Sequence, residues 1–312
     1  MRAKSTTQSS HGRSRPPRSL RSLRSLRSLR SIKPEFERLY RASEKFPASV
    51  DPVQIVHRYL DPRDQEIMGF LAAGLAFGRV TSVMSSLQTV TDILGPNPAS
   101  FVRSFEPRRD STLFRNFTYR WIRGVDLVAL LWVLRQMLEE SGSIEEFFLE
   151  GYKDCSTDIG PALNDFSRRA LALDLREAYR CGDTSGVRYF FPRPSAGSGC
   201  KRLNLFLRWM VRRDSVDLGV WSVLSPSKLV IPLDIHIVRV GQCLRLTKYR
   251  APGWQMASEI TASLRVLNPE DPVKYDFSLC HLGMSGCCGF NRDQHDERCP
   301  LRGICRPNIR RP

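Results

Sequence analysis

Long apolar runs are missing from this chain. No stretch of its 312 residues reaches the roughly 20 apolar positions a membrane-spanning helix needs. The most hydrophobic segment, Val125 to Leu138, is broken by Asp126 and Arg135. This excludes a helical membrane span and predicts a soluble protein. Strand and helix patterns do not alternate, and no two strand-like runs are joined by recognisable turn residues, which argues against α/β and sandwich folds. An apolar secretory core near the N-terminus is also missing, and five of the nine cysteines crowd into the last 33 residues. A metal site fits that crowding better than a secreted disulfide framework does.

Acidic residues are absent from residues 1–33, which hold ten Lys or Arg. The remaining 38 basic residues face 32 acidic ones, so the formal charge of +16 falls to +6 over the rest of the chain. The basic stretch repeats Arg-Ser-Leu from Arg18 to Arg30-Ser31, placing Leu20, Leu23, Leu26 and Leu29 three apart. That spacing drifts about 60° per step around a helix and gives no lasting apolar stripe. Residues 1–33 are therefore expected to be a disordered polycation that assists phosphate binding. An organelle transit peptide has the same composition, and an upstream start codon gives the same kind of extension.

From residue 34 onward the periodicity is helical. Asp61-Pro62 is a cap with proline in the first helical position, and Ile67, Phe70, Leu71, Gly74 and Leu75 mark one face behind it. Val80 to Leu94 predicts a second helix stopped by Gly95-Pro96, and Asp126 to Glu140 a third. Ile144 to Tyr152 and Ile159 to Leu175 carry weaker patterns. Beyond a Gly/Pro/Ser-rich break at 191–199, further helices are expected over Lys201 to Val211, Ile235 to Leu246, Trp254 to Val266 and Val273 to Met284. The expected fold class is all-α.

Two short segments carry the chemistry. Gly197-Ser198-Gly199 can turn sharply, and Cys200, Lys201 and Arg202 then open a helix whose free N–H groups and cations suit a phosphate. A lysine used as nucleophile must present a neutral amine, which the positive end of a helix and a neighbouring cation both favour. Thirty-three residues on, Asp234 precedes a helix with Pro232 just before it. The ordinary role of Asp234 is an N-cap; its functional role would be to face the lysine and steady positive charge on a sugar.

Gly197-Ser198-Gly199-Cys200-Lys201 with Leu233-Asp234-Ile235-His236-Ile237-Val238-Arg239-Val240 resembles the helix-hairpin-helix DNA glycosylase superfamily of endonuclease III, the adenine glycosylases and the 8-oxoguanine glycosylases. The likeness covers residues 195–305 and, more faintly, 61–95, and Asn204 and Leu207 also fall in register with endonuclease III. It is similar as well to an uncharacterised bacterial and archaeal family that shares the segment Cys-Lys-Arg-Leu-Asn. The resemblance implies a two-lobed helix-hairpin-helix body over residues 34–312, with lobes of roughly 34–105 plus 235–312 and of 106–234. It implies that Lys201 attacks the anomeric carbon while Asp234 steadies the oxocarbenium-like state, and that Gly197, Gly199, Arg202, His236 and Arg239 meet DNA. Ser198 departs from the usual apolar residue, and the long Lys-to-Asp spacing, comparable to that of archaeal 8-oxoguanine glycosylases, calls for an ordered excursion between Arg212 and Val230 around Trp221, Ser225 and Pro226. Leu75 or Phe77 stands where relatives place a residue that probes the base gap, so any wedge would be apolar.

Cys299-Pro300-Leu301-Arg302-Gly303-Ile304-Cys305 resembles the closing half of the iron–sulfur loop of those relatives, within a cysteine-rich loop at 280–305. Cys287 follows Gly283 at the distance of their first ligand, and Cys288-x6-His295 offers a histidine in place of the second cysteine. Cys280 sits in an apolar helix and reads as core. Cys287, Cys288, His295, Cys299 and Cys305 are thus the candidate ligands, for a four-iron–four-sulfur cluster or for zinc, with a loop holding no metal as the third reading.

The expected activity is that of a DNA repair glycosylase with AP lyase activity, acting as a monomer on double-stranded DNA with damaged or abasic sites, in the cytoplasm at the nucleoid. Two alternatives stand beside it: a non-catalytic helix-hairpin-helix DNA-binding protein with a structural metal or cluster loop, and a cluster-bearing structural or partner protein whose basic tail does the binding.

Overall fold

The computed structural model describes residues 23–43, 51–179, 185–286 and 299–305. Helices α1 (Leu26–Ser31), α2 (Lys33–Ser43), α3 (Val53–Val56), α4 (Pro62–Leu75), α5 (Val80–Leu94), α6 (Pro98–Arg103) and α7 (Pro107–Asp110) come first. The two-residue strands β1 (Thr118–Tyr119) and β2 (Ile122–Arg123) form an antiparallel pair. Then follow α8 (Gly124–Ser141), α9 (Ile144–Leu149), α10 (Gly160–Ala170), α11 (Ser185–Arg188), α12 (Lys201–Val211), α13 (Ile235–Cys243), α14 (Trp254–Arg265), α15 (Asp276–Met284) and α16 (Arg302–Cys305). The fold is all-α apart from that small hairpin. Among the described residues no helix is long and apolar enough to cross a membrane.

Several boundaries fall where the sequence puts them. α4 starts behind Asp61, whose side chain accepts from Arg63 N at 2.9 Å, and α5 ends at Gly95 with φ 73°. α13 stops three residues before the expected Leu246. There Leu246 N reaches back to Gly241 O, and Arg245 takes the left-handed conformation (φ 57°) that usually falls to glycine after a helix end. The β hairpin was not legible, because its turn is Arg120-Trp121, with Arg120 at φ 54°. Neither residue belongs to the turn types that announce a hairpin.

The expectation of a disordered tail through residue 33 needs correcting over 23–33. Ser25 caps α1 by accepting from Ser28 N, and Leu29, Ile32 and Phe36 bury along one side of α1 and α2. A three-residue repeat gives no lasting stripe, but two turns suffice when Ile32 and Phe36 continue the face. Arg24 fastens the segment to the far end of the chain: its guanidinium donates to Leu244 O at 2.7 Å and also to Ile304 O. Residues 1–22 lie outside the described residues.

α4 is the central helix, buried over nearly its whole circumference. It packs along α12 so closely that a Cβ at Gly69 would lie 2.8 Å from Met210 Cε. Its two buried acids serve other helices. Asp64 Oδ1 accepts from Ala99 N in the first turn of α6, and Glu66 accepts from Ile144 N and Glu145 N at the start of α9. Those N–H groups have no intrahelical partner, and a carboxylate there also meets the positive end of the helix. Glu66 takes a third donor, Trp221 Nε1 at 3.0 Å, which pins the excursion after α12. That excursion is ordered as expected, with Leu218 N and Gly219 N bonded to Trp209 O and Trp221 N to Met210 O.

The last turns of α12 hold two buried arginines one turn apart. Arg208 bonds Asp217 at 3.1 Å and Asp276, and lies 3.9 Å from Asp51. Arg212 bonds Asp214, Asp217 and Asp271. Removing one member of such a cluster leaves uncompensated buried charge.

Replacing Glu66 by Ala strands two helix-end N–H groups and an indole N–H. The expected cost is about 3 kcal/mol of unfolding free energy in urea melts, accompanied by a change in the near-ultraviolet signal of Trp221.

Candidate active site

The turn before α12 is built as a close approach of backbones. Pro194–Ala196 form one 3₁₀ turn, and Gly197 then takes the left-handed conformation at φ 78°. Its carbonyl accepts from Trp254 N, the first residue of α14, and a Cβ on Gly253 would come within 2.8 Å of that oxygen. Ser198 has a local reason to depart from the apolar residue of the relatives: its Oγ accepts from Cys200 N at 3.2 Å. Cys200 itself sits at φ 47° as the residue before α12, and burial pushes its thiol up to about 12. Gly199 lies against Leu233, which links the turn to the segment carrying Asp234.

Lys201, the first residue of α12, donates from Nζ to Ala76 O at 3.0 Å, at the C-terminal end of α4. Asp234 caps α13: Oδ1 accepts from Ile237 N at 2.7 Å, while Oδ2 accepts from the Cys280 thiol at 3.2 Å. The cap role read from the sequence uses Oδ1, and the other oxygen is held by the Cys280 thiol. Lys201 and Asp234 line one cavity of about 440 Å³ together with His236, Cys280, Arg208 and Asp276. Among the described residues the ion pairs within 4.0 Å do not join Lys201 to Asp234.

The other expected DNA contacts scatter more widely. His236 lines the cavity with Nδ1 buried, and Gly283 makes room for its ring, since a Cβ there would lie 2.6 Å from His236 Cβ. Arg239 is exposed one turn further along α13. Arg202 turns back onto Tyr189, with its guanidinium over the ring and an Nη2 bond to the Tyr189 carbonyl, and burial lowers its pKa from the ordinary arginine value. Of the two wedge candidates, Leu75 is wholly buried, whereas Phe77 lines the cavity. Phe77 stacks on Trp121 of the β hairpin at 4.8 Å and 25°, and Trp121 is 57% exposed.

Sequence reasoning missed three parts of this site. The Ala76 carbonyl has no signal, since any backbone offers one. Cys280 reads as core, yet its thiol holds Asp234; the clue was its helical spacing from Asp276, Phe277 and Met284, which share the cavity. Arg208 and Asp276 carry no mark in the sequence that sets them apart from other charged residues, and they are 2% and 3% exposed. Burial pushes the Asp276 carboxyl up to about 7 and that of Asp217 up to about 6.

Of the candidate metal ligands, Cys287, Cys288 and His295 lie outside the described residues. Cys299 is buried and Cys305 half-buried, on the short segment that Arg24 holds through Ile304. Among the described residues no group of three or more His, Cys, Asp or Glu is arranged to hold a metal.

The chain belongs to the family described as "Protein of unknown function (DUF2400)", which matches residues 51–285 and so takes in the hairpin, Asp234 and Cys280. No curated protein and no solved structure matches the chain.

Two measurements follow from the charge states. Asp217 and Asp276 have folded values above the ordinary 3.8, so between about pH 4 and pH 7 the folded state holds more protons than the unfolded one. Their contribution to stability is therefore greatest at the acid end and declines as pH rises through that window. Urea melts of Asp276→Asn across it should show a shallower decline than the parent. At about pH 8 iodoacetamide should alkylate exposed Cys155 and leave Cys200 and Cys280 untouched until the protein is unfolded, as read by peptide mass spectrometry.

Proposed function

We propose that the chain is a DNA glycosylase with AP lyase activity, built on a two-lobed helix-hairpin-helix arrangement and acting on damaged or abasic double-stranded DNA. One observation carries the reading: Lys201 behind the glycine turn and Asp234 at a helix cap line the same cavity of about 440 Å³. That volume holds a flipped nucleotide's base and sugar. The Ala76 carbonyl orients the lysine side chain toward the cavity side of α4. Nζ, as the neutral amine, bonds to C1′ while the C1′–N bond to the base breaks; the base leaves with that electron pair and takes up a proton, and the amine gives one up. Asp234 stabilises positive charge as it develops on the sugar, held in place by Ile237 N and by the Cys280 thiol. Ring opening leaves an imine on Lys201, and loss of the C2′ proton to solvent then expels the 3′ phosphate.

A second reading has support in the same hydrogen bond. Lys201 tied to Ala76 O also closes the end of α4, and Arg202 stacked on Tyr189 is a packing interaction. On that reading the hairpin binds phosphate and the lysine is structural.

Borohydride reduction in the presence of abasic-site duplex separates the two. The glycosylase reading expects a covalent adduct that vanishes in Lys201→Ala and forms roughly 100-fold or more slowly in Asp234→Asn. Salt-sensitive DNA binding with no adduct from the parent protein would leave the binding-module reading in its place.

A further inference from the structure

Besides His236 Nδ1, two neighbouring side chains on the cavity lining each have a buried atom without a hydrogen-bond partner among the described residues. Arg208 and Asp276 both line it, and the two side chains bond each other through Nη1 and Oδ2. Their second atoms, Arg208 Nη2 and Asp276 Oδ1, are buried, and among the described residues neither has a hydrogen-bond partner. The nearest charge to Nη2 is Asp51 Oδ2 at 3.9 Å, beyond hydrogen-bond reach, and Asp51 lines the same cavity. A guanidinium N–H and a carboxylate oxygen left unpaired inside a protein each carry the full cost of desolvation, so a pair of them bordering one cavity calls for a ligand that supplies both partners.

We infer that the Arg208–Asp276 pair reads the edge of the base that enters the cavity, and that it selects bases presenting a carbonyl beside a ring N–H. This rests on the glycosylase reading above and gives it a substrate class. The selection follows from counting donors and acceptors. At about pH 8, above the raised Asp276 value, the pair offers one donor and one acceptor, side by side because the two residues are already bonded. A lactam edge, as in uracil or hypoxanthine, matches them one to one: its carbonyl accepts from Nη2 and its ring N–H donates to Oδ1. An amino edge, as in adenine or cytosine, brings a second N–H that needs a further acceptor, and the one beside this pair, Asp51 Oδ2, lies 3.9 Å from Arg208 Nη2. An under-used carbonyl lone pair is cheaper than a stranded N–H. Phe77 stands on the cavity lining beside these groups and offers a ring face to a flat heterocycle.

The test has an arm that needs no catalysis and no altered protein. Ligand-detected nuclear magnetic resonance with the intact chain should show saturation transfer to free uracil and hypoxanthine at millimolar concentration, and lose it for the same bases methylated at the ring nitrogen beside the carbonyl. Equal transfer to methylated and unmethylated bases overturns the inference.

The second arm compares Asp276→Asn with the parent on two substrates. An abasic-site duplex has no base to read, so borohydride adduct formation by Asp276→Asn reports any disturbance of the charge cluster around Arg208, and base release is expressed relative to it. Release of uracil or hypoxanthine from duplex DNA should fall roughly 100-fold, because the acceptor has become a donor. Unchanged release overturns the inference, and so does a parallel loss of adduct and release, which assigns the carboxylate a structural role only. Absence of any adduct from the parent protein counts against the glycosylase reading instead, and the free-base arm then decides by itself whether the cavity reads a lactam edge.

Discussion

The charge cluster on the last turns of α12 is the constraint on which the rest of the architecture hangs. Two guanidiniums, Arg208 and Arg212, gather five carboxylates from four stretches of chain: Asp51 before α3, Asp214 and Asp217 in the excursion, Asp271 in the loop before α15, and Asp276 at its start. Burying such a network is expensive, and its worth lies in fixing one arrangement rather than in raw stability. Every stretch it gathers is then placed relative to the helix whose first residue is Lys201. With five acids against two cations, burial first and the neighbouring carboxylates after it raise the Asp276 and Asp217 carboxyls, so the cluster sheds part of its excess charge by holding protons.

A second set of polar contacts works in the opposite sense along α4. Its buried acids reach sideways to the starts of α6 and α9, and its last carbonyl, Ala76 O, reaches to Lys201. A helix with so apolar a surface could slide or rotate against its neighbours at little cost. Asp64 and Glu66 remove that freedom, because a shift of even one residue would leave helix-end N–H groups unpaired. The position of the Lys201 amine is therefore set from both ends, by the cluster behind it and by the termination of α4 in front.

Much of this could be read from the residues alone. Asp61-Pro62, Gly95 and Asp234 act locally, through their own backbone neighbours, and each marks the boundary expected of it. The limits of α5 and α12 follow because their apolar periodicity ends at those signals. What could not be read is whatever depends on distant partners. Arg208 and Asp276 look like solvated charges until the fold brings 68 residues of separation down to a hydrogen bond. Cys280 looks like core until Asp234 lies beside it. The Arg120-Trp121 turn carries no turn residues, and Trp121 is held instead by distant rings, stacked on Phe77 and edge-on to Tyr189. The Arg-Ser-Leu segment failed as a helix on periodicity because, of its described residues, only Leu29 joins the core, and the face continues through Ile32 and Phe36, which lie beyond the repeat.

The clasp made by Arg24 sets an order of assembly. Its partners, Leu244 and Ile304, lie 220 and 280 residues further along, so these contacts close only after those distant residues have been made. Contacts of such long separation are slow to form and early to break, and the seam between the two ends is where unfolding of this protein should begin.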